Sequence, residues 1–242
     1  MLKALFYLSV FCLLFLIACS GNKKNTQKND TVFLVNVSNK DWGQKTFIEK
    51  NRNAAEYKSL LNFKFDSNLT AAFIESTRDL KQHYPSSLKK FNIGNIPREW
   101  VPIHQYKNKY YLYSAAESDL EGRLIVTDTT LIRQWGYDDG PIAQPLLSVK
   151  KTAKNTWLLK TDAYYQSPPN AETLIIHTID RSTNLAVWEE FSKLRGHNYW
   201  LCVPRDNADK FDMIVNRSDG RSKIGEFIFD KIDYQKLLIT NR

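Results

Sequence analysis

From residue 100 onward the chain is a string of short β-prone runs broken by turn residues at close, regular intervals, and that spacing leaves few architectures open. Residues 101–106 and 110–114 flank Lys107-Asn108-Lys109, and residues 123–127 and 131–135 flank Asp128-Thr129-Thr130. Residues 142–150 lead to 156–161 across Ala153-Lys154-Asn155. Residues 173–179 meet 185–190 across Asp180-Arg181-Ser182-Thr183, and 199–203 are expected to meet 211–215 across the loop that Pro204 opens. About ten strands with short connections make an antiparallel meander. A meander removes its exposed edges by closing as a barrel, or limits them by curling as a half-barrel. No self-similar repeat supports a propeller.

The texture before residue 100 is different. Residues 31–37 are rich in β-branched side chains and read as a strand. Over residues 45–62, Phe47, Ile48, Ala54, Ala55, Leu60 and Leu61 approximate a helical stripe. Residues 69–84 read as a second helix, with Ala72, Phe73 and Leu80 on its apolar side, Asn68 as N-cap and Pro85 as its stop. Gly94 and Pro97 make residues 91–98 a loop, and residues 230–239 read as a short amphipathic helix docking through Ile232, Leu237 and Leu238. The expected fold class is therefore mainly β with N-terminal helices. It divides into a strand-and-helix segment at 31–98 and a β-meander with a C-terminal helix at 99–242. In outline residues 100–240 resemble a lipocalin-like barrel. The resemblance is one of topology; the Gly-x-Trp signature of that family is missing, since Gly94 lies six residues before Trp100.

The first 30 residues set a location rather than a fold. Met1-Leu2-Lys3 is basic, and residues 4–18 are apolar apart from Ser9. That core is shorter than the ~20 residues a spanning helix needs, and it has the layout of a secretory signal at residues 1–18. Leu16-Ile17-Ala18-Cys19 resembles the lipobox of bacterial lipoproteins. The resemblance implies cleavage between Ala18 and Cys19, a diacylglyceryl group on the Cys19 thiol and attachment to the membrane. Serine rather than aspartate follows Cys19, which by analogy with sorting in some bacteria favours the outer membrane. Residues 19–30 hold no apolar side chain beyond Cys19 and read as a disordered tether. With Cys12 in the signal and Cys19 lipidated, Cys202 has no disulfide partner, so stability must come from the core.

Four places could carry chemistry. In the run 110–113, Tyr111 and Tyr113 share one strand face and could stack on a ligand inside a barrel, or simply pack in the core. His177 shares a face with Ile175 and Ile179, and the partner strand carries Trp188, Glu189 and Glu190. A glutamate beside His177 would make an acid–base pair; otherwise His177 is a core histidine. Tyr111, Tyr113, His177 and Trp188 are the candidate ligand contacts. Asp138 and Asp139 between Gly136 and Gly140 could ligate calcium, although Asp-Gly-Pro is first a turn signal. The polar loop Arg195-Gly196-His197-Asn198 has the same two readings, as an anion site or a turn. The net charge of +8 is spread along the chain without a compact basic motif, which argues against nucleic acid. No cofactor is expected: Cys-x-x-Cys, His-Glu-x-x-His, a Gly-rich phosphate loop and a Gly-x-Ser-x-Gly elbow are all missing. The expected role is a binding module for a small amphipathic ligand or a partner protein. The rivals are a hydrolase using His177 with a glutamate, and a structural or assembly lipoprotein.

Overall fold

The computed structural model describes residues 31–38, 43–64, 67–115, 122–134, 140–163, 170–193, 196–218 and 226–240. The chain opens with β1 (Val32–Ser38) and β2 (Gly43–Glu49), followed by α1 (Ala55–Leu60) and α2 (Ser67–His83). It then runs almost wholly in strands: β3 (Glu99–Pro102), β4 (His104–Tyr106), β5 (Lys109–Ser114), β6 (Arg123–Val126), β7 (Thr130–Gln134), β8 (Ile142–Ala153), β9 (Thr156–Asp162), β10 (Ala171–Asp180), β11 (Leu185–Ser192) and β12 (Gly196–Pro204). A 3-10 turn at Arg205–Lys210 separates β12 from β13 (Met213–Ser218), and α3 (Tyr234–Thr240) follows.

β3 and β6 through β12 pair in chain order, each antiparallel to the next, and β12 returns to β3 to close an eight-stranded barrel. The meander thus takes its closed form, the up-and-down arrangement of a lipocalin-like barrel. Alternation along each strand fills the interior: Leu124 and Val126, Leu131, Leu146, Leu159, Leu174 and Ile176, Ala186 and Trp188, and Cys202 form one core. Trp100 and Trp188 meet there edge to face, ring centroids 5.3 Å apart.

At one end the interior changes character. Arg133, Gln144, Thr161, Glu172, Glu190 and Ser192 occupy inward positions and are all buried. Arg133 donates to Glu190, and its Nη2 lies 3.5 Å from Glu172 Oε2. Gln144 Nε2 and Ser192 Oγ also donate to Glu172, at 2.8 and 3.0 Å. Two carboxylates removed from water are tolerable here because a guanidinium and neutral donors surround them.

A second sheet, ordered β1-β2-β13-β5-β4, packs against the outside of the barrel. Phe47, Leu112, Met213 and Val215 on its inner face meet Val101, Leu185, Val187 and Leu201 of the barrel wall. Tyr57 and Leu60 of α1 and Leu238 of α3 complete this core. Arg123 ties the end of α1 down by donating to the carbonyls of Ser59 in its last turn and Asn62 just beyond it. Leu80 of α2 packs with Ile132 and Ala143 on another part of the wall.

Four expectations need correction. Residues 43–49 are a strand, not the start of a helix: Phe47 serves the barrel-facing core and Ile48 the opposite face, so the neighbours that looked like a helical stripe are the two sides of β2. Second, β13 does not return onto β12. Pro204 and the 3-10 turn carry the chain away, Tyr57 Oη donates to Phe211 O at 2.6 Å, and β13 lies antiparallel to β2 and parallel to β5. Third, the hairpin of β4 and β5, turned by left-handed Lys107 and Asn108, belongs to the second sheet rather than the barrel. Residues 31–98 and 99–242 therefore share a sheet, and residues 31–242 gather into one compact unit. Fourth, α2 begins at Ser67, which places Asn68 within the helix rather than at its cap.

Arg133→Met should cost about 3–5 kcal/mol, because it strands two buried carboxylates. Urea denaturation checks this, and adding Glu172→Gln and Glu190→Gln should recover part of the loss. A single variant as stable as the parent would show that the cluster does not hold the barrel end together.

Candidate functional site

An up-and-down barrel sends alternate connections to opposite ends. The turns after β6, β8 and β10 therefore share one end, together with the loop 91–97 that leads into β3. At this end lies a cavity of about 340 Å³. Its apolar wall is Trp100, Trp157, Ile96 and Ile176, and its rim carries Lys151, Lys154 and Arg181. Trp100 is fixed by its Nε1–H, which donates to Pro97 O at 2.6 Å. Lys151 Nζ stands 5.6 Å from the centroid of the Trp157 ring. Gly94 lets the loop lie against Trp157. Its φ is +55°, and a Cβ there would sit 2.6 Å from Cη2 of the indole. The volume lies in the range of small-molecule sites, about 300–1,000 Å³. Its lining mixes these apolar and aromatic side chains with Asn95, Asn155, Thr178 and Asn184 and with the three cations.

A second cluster lies on the outer wall beyond the reach of the second sheet. His177 on β10, Glu189 on β11 and His197 on β12 lie on one diagonal across three strands. The Nε2 groups of His177 and His197 lie 2.9 and 2.8 Å from different oxygens of Glu189, and Tyr199 Oη donates to the carboxylate at 3.0 Å. Burial works to raise the Glu189 pKa, but the hydrogen bonds from His177, His197 and Tyr199 outweigh it, so the carboxyl titrates below its ordinary range. An ionised Glu189 only accepts, so each imidazole directs an N–H at it. His197 stacks on Phe191 at 4.2 Å and meets Tyr199 in a tilted contact at 4.5 Å, and Tyr199 stacks on Tyr234 at 5.1 Å. Neither His177 nor His197 hydrogen-bonds a hydroxyl or thiol nucleophile among the described residues. Among the same residues no group of three or more His, Cys, Asp or Glu is arranged to hold a metal ion.

The residues singled out by sequence are thus divided. His177 and Glu189 come together on the outer wall, whereas Glu190 points inward to Arg133. Trp188 is fully buried in the barrel, and its indole N–H has no hydrogen-bond partner among the described residues. Tyr111 and Tyr113 do not line the barrel. They lie on the far face of the second sheet, under Phe227 and Phe229, and Tyr113 Oη donates to Glu226 at 2.5 Å. Burial and the hydrogen bond to Glu226 push the Tyr113 hydroxyl up. The Cys202 thiol is also pushed up by complete burial, which suits core packing rather than nucleophilic chemistry. Cys19, Asp138 and Asp139 lie outside the described residues. The residues that sequence reasoning missed are Gly94, Trp100, Trp157 and the three rim cations. Their signal was parity: Lys154 and Arg181 sit in the second and third of three alternate turns, which barrel closure brings to one end.

Comparison of the chain with protein-family models, with curated proteins and with solved structures returned no match.

Gly94→Ala should cost about 1–2 kcal/mol from the left-handed backbone alone and should displace Trp157. A fluorescence difference against a Trp157→Phe background measures that displacement. Unchanged emission with an unchanged urea midpoint would show that the loop does not position the indole.

Proposed function

We propose that the chain is a lipid-anchored protein of the bacterial envelope, directed to the outer membrane, whose barrel mouth holds a small amphipathic ligand. The observation that carries this reading is the cavity of about 340 Å³, with two indoles and aliphatic side chains in its wall and polar groups at its rim. An apolar body covers the exposed part of the Trp157 ring, and the apolar surface it buries contributes to binding at roughly 25 cal/mol per Å². In this reading Cys19 carries the diacylglyceryl group, and the polar segment behind it keeps the barrel near a surface rich in amphiphiles.

Two measurements test the reading. Purified residues 20–242 should bind N-phenyl-1-naphthylamine, a neutral fluorescent amphiphile, saturably, and Trp157→Ala should weaken that binding about tenfold. A linear, unsaturable response, or a Trp157→Ala variant that binds like the parent, would remove the mouth as the site. For the anchor, the full chain made in a bacterial host should incorporate alkyne-labelled palmitate and fractionate with membranes. Cys19→Ser should do neither.

The contact between His177 and Glu189 at 2.9 Å favours a second reading, that of a hydrolase. Glu189 would orient the imidazole while the other ring nitrogen takes a proton from water. Turnover of nitrophenyl esters, phosphoesters or glycosides that falls at least about 100-fold in His177→Gln would move the assignment there. Absence of turnover across that panel would set this reading aside.

A further inference from the structure

The ligand class of the barrel mouth can be narrowed, an inference that rests on the reading of that mouth as a binding site. We infer that the mouth selects an anionic amphiphile, one whose apolar body lies on Trp157 and whose single carboxylate, sulfate or phosphate group meets Lys151, Lys154 and Arg181. The lining holds these three cations and no carboxylate. Among the described residues none of the three has an acidic partner. Three carboxylates near this end of the barrel have other partners. Asp128 faces Lys90 at 3.9 Å, and Asp180 accepts hydrogen bonds from Ser182 and Thr183, which hold its pKa low. Glu99, at the start of β3, is held by Arg205 at 2.7 Å. Among the described residues no carboxylate makes an ion pair with the three rim cations.

The cations also come from separate structural elements. Lys151 is near the end of β8, Lys154 is in the β8–β9 turn and Arg181 is in the β10–β11 turn. They converge because closure brings those turns to one end, around an opening whose lining includes Trp100 and Trp157. Asn155 and Asn184 stand among them and add neutral hydrogen-bonding groups. A charged headgroup at the rim stays partly hydrated, so it incurs little desolvation while it gains Coulomb attraction. The apolar body supplies burial and the rim supplies discrimination by charge. A cationic amphiphile of the same body meets the reverse field, and a neutral one gains nothing from it.

The test uses two probes that share one anilinonaphthalene skeleton, neutral N-phenyl-1-naphthylamine and anionic 1-anilinonaphthalene-8-sulfonate. Both are titrated into purified residues 20–242 and into a Lys154→Glu/Arg181→Glu double variant, with circular dichroism melting to establish that the variant is folded. The expected result is about tenfold tighter binding of the sulfonate to the parent at low ionic strength. The advantage should shrink as salt shortens the Debye length from about 30 Å to a few ångströms. In the double variant the affinity ratio should fall to about one or below. Equal affinities in the parent would overturn the charge selectivity while leaving the pocket itself standing. Failure of both probes to bind would overturn the pocket and the selectivity together. A sulfonate preference that survives in the folded double variant would overturn the assignment of the headgroup to this rim.

Discussion

Closure of the barrel rests on β3, a four-residue strand that pairs on both edges. On one side Trp100, Val101 and Pro102 meet Pro204, Val203 and Cys202, and on the other Glu99 and Trp100 meet Ile125 and Leu124. So few ladder contacts would make a weak seam by themselves. The side chains reinforce it from both faces. Trp100 plugs the interior against Trp188, while Val101 and the adjacent Ile103 lie in the core beneath the second sheet. The second sheet is therefore more than an ornament on the wall: it covers the seam. Everything at the mouth depends on that closure, because Trp100 forms part of the pocket and the loop 91–97 reaches Trp157 only from the start of β3.

The interior is polarised along its axis. Near the mouth it is indole and aliphatic, and at the other end it holds Arg133 with Glu172 and Glu190. A buried ion cluster is weak evidence for stability, since well-packed apolar residues often do as well. It does constrain register. A one-residue slip of β10 or β11 would turn Glu172 or Glu190 outward and leave Arg133 without its counter-charges. The same strands carry the outer cluster on their other face, Glu189 being the neighbour of Glu190. One register thus determines both the inward and the outward carboxylate.

Much of the architecture was legible because hairpins are local. The turns at Asp128, Lys154 and Arg181 and the strands they join are read from adjacent residues, whereas the count of eight and the closure, left open between barrel and half-barrel, come from the pairing of β12 with β3. His177 and Glu189 were legible as neighbours for the same reason: one tight turn joins β10 and β11, so alternation decides which side chains share a face. What stayed hidden depends on distant pairing. Nothing near Phe47 says that its strand partners are Phe33 and Val215. Nothing near Tyr111 says that its hairpin leaves the barrel, because Lys107-Asn108 specifies a turn and not a destination. Arg133 and Glu172 lie on strands separated by β8 and β9 and meet only across the barrel interior. The mouth was hidden likewise, since its cations are scattered in sequence and gain meaning only once the ends of the strands are brought together.

The second sheet is threaded through the barrel's own sequence. Its strands come from residues 32–49, 104–114 and 213–218, so the barrel segments lie between them. A chain emerging N-terminus first from the ribosome presents β1 and β2 long before β13 exists. Until then the edge of β2 that pairs with β13 is open. Long-range pairing of this kind slows folding and leaves sticky intermediates. The interleaving therefore makes the last strand a checkpoint. The barrel can close on its own hairpins, but the second sheet is complete only when β13 arrives, so a chain truncated before residue 213 would carry an exposed β2 edge open to pairing with other chains.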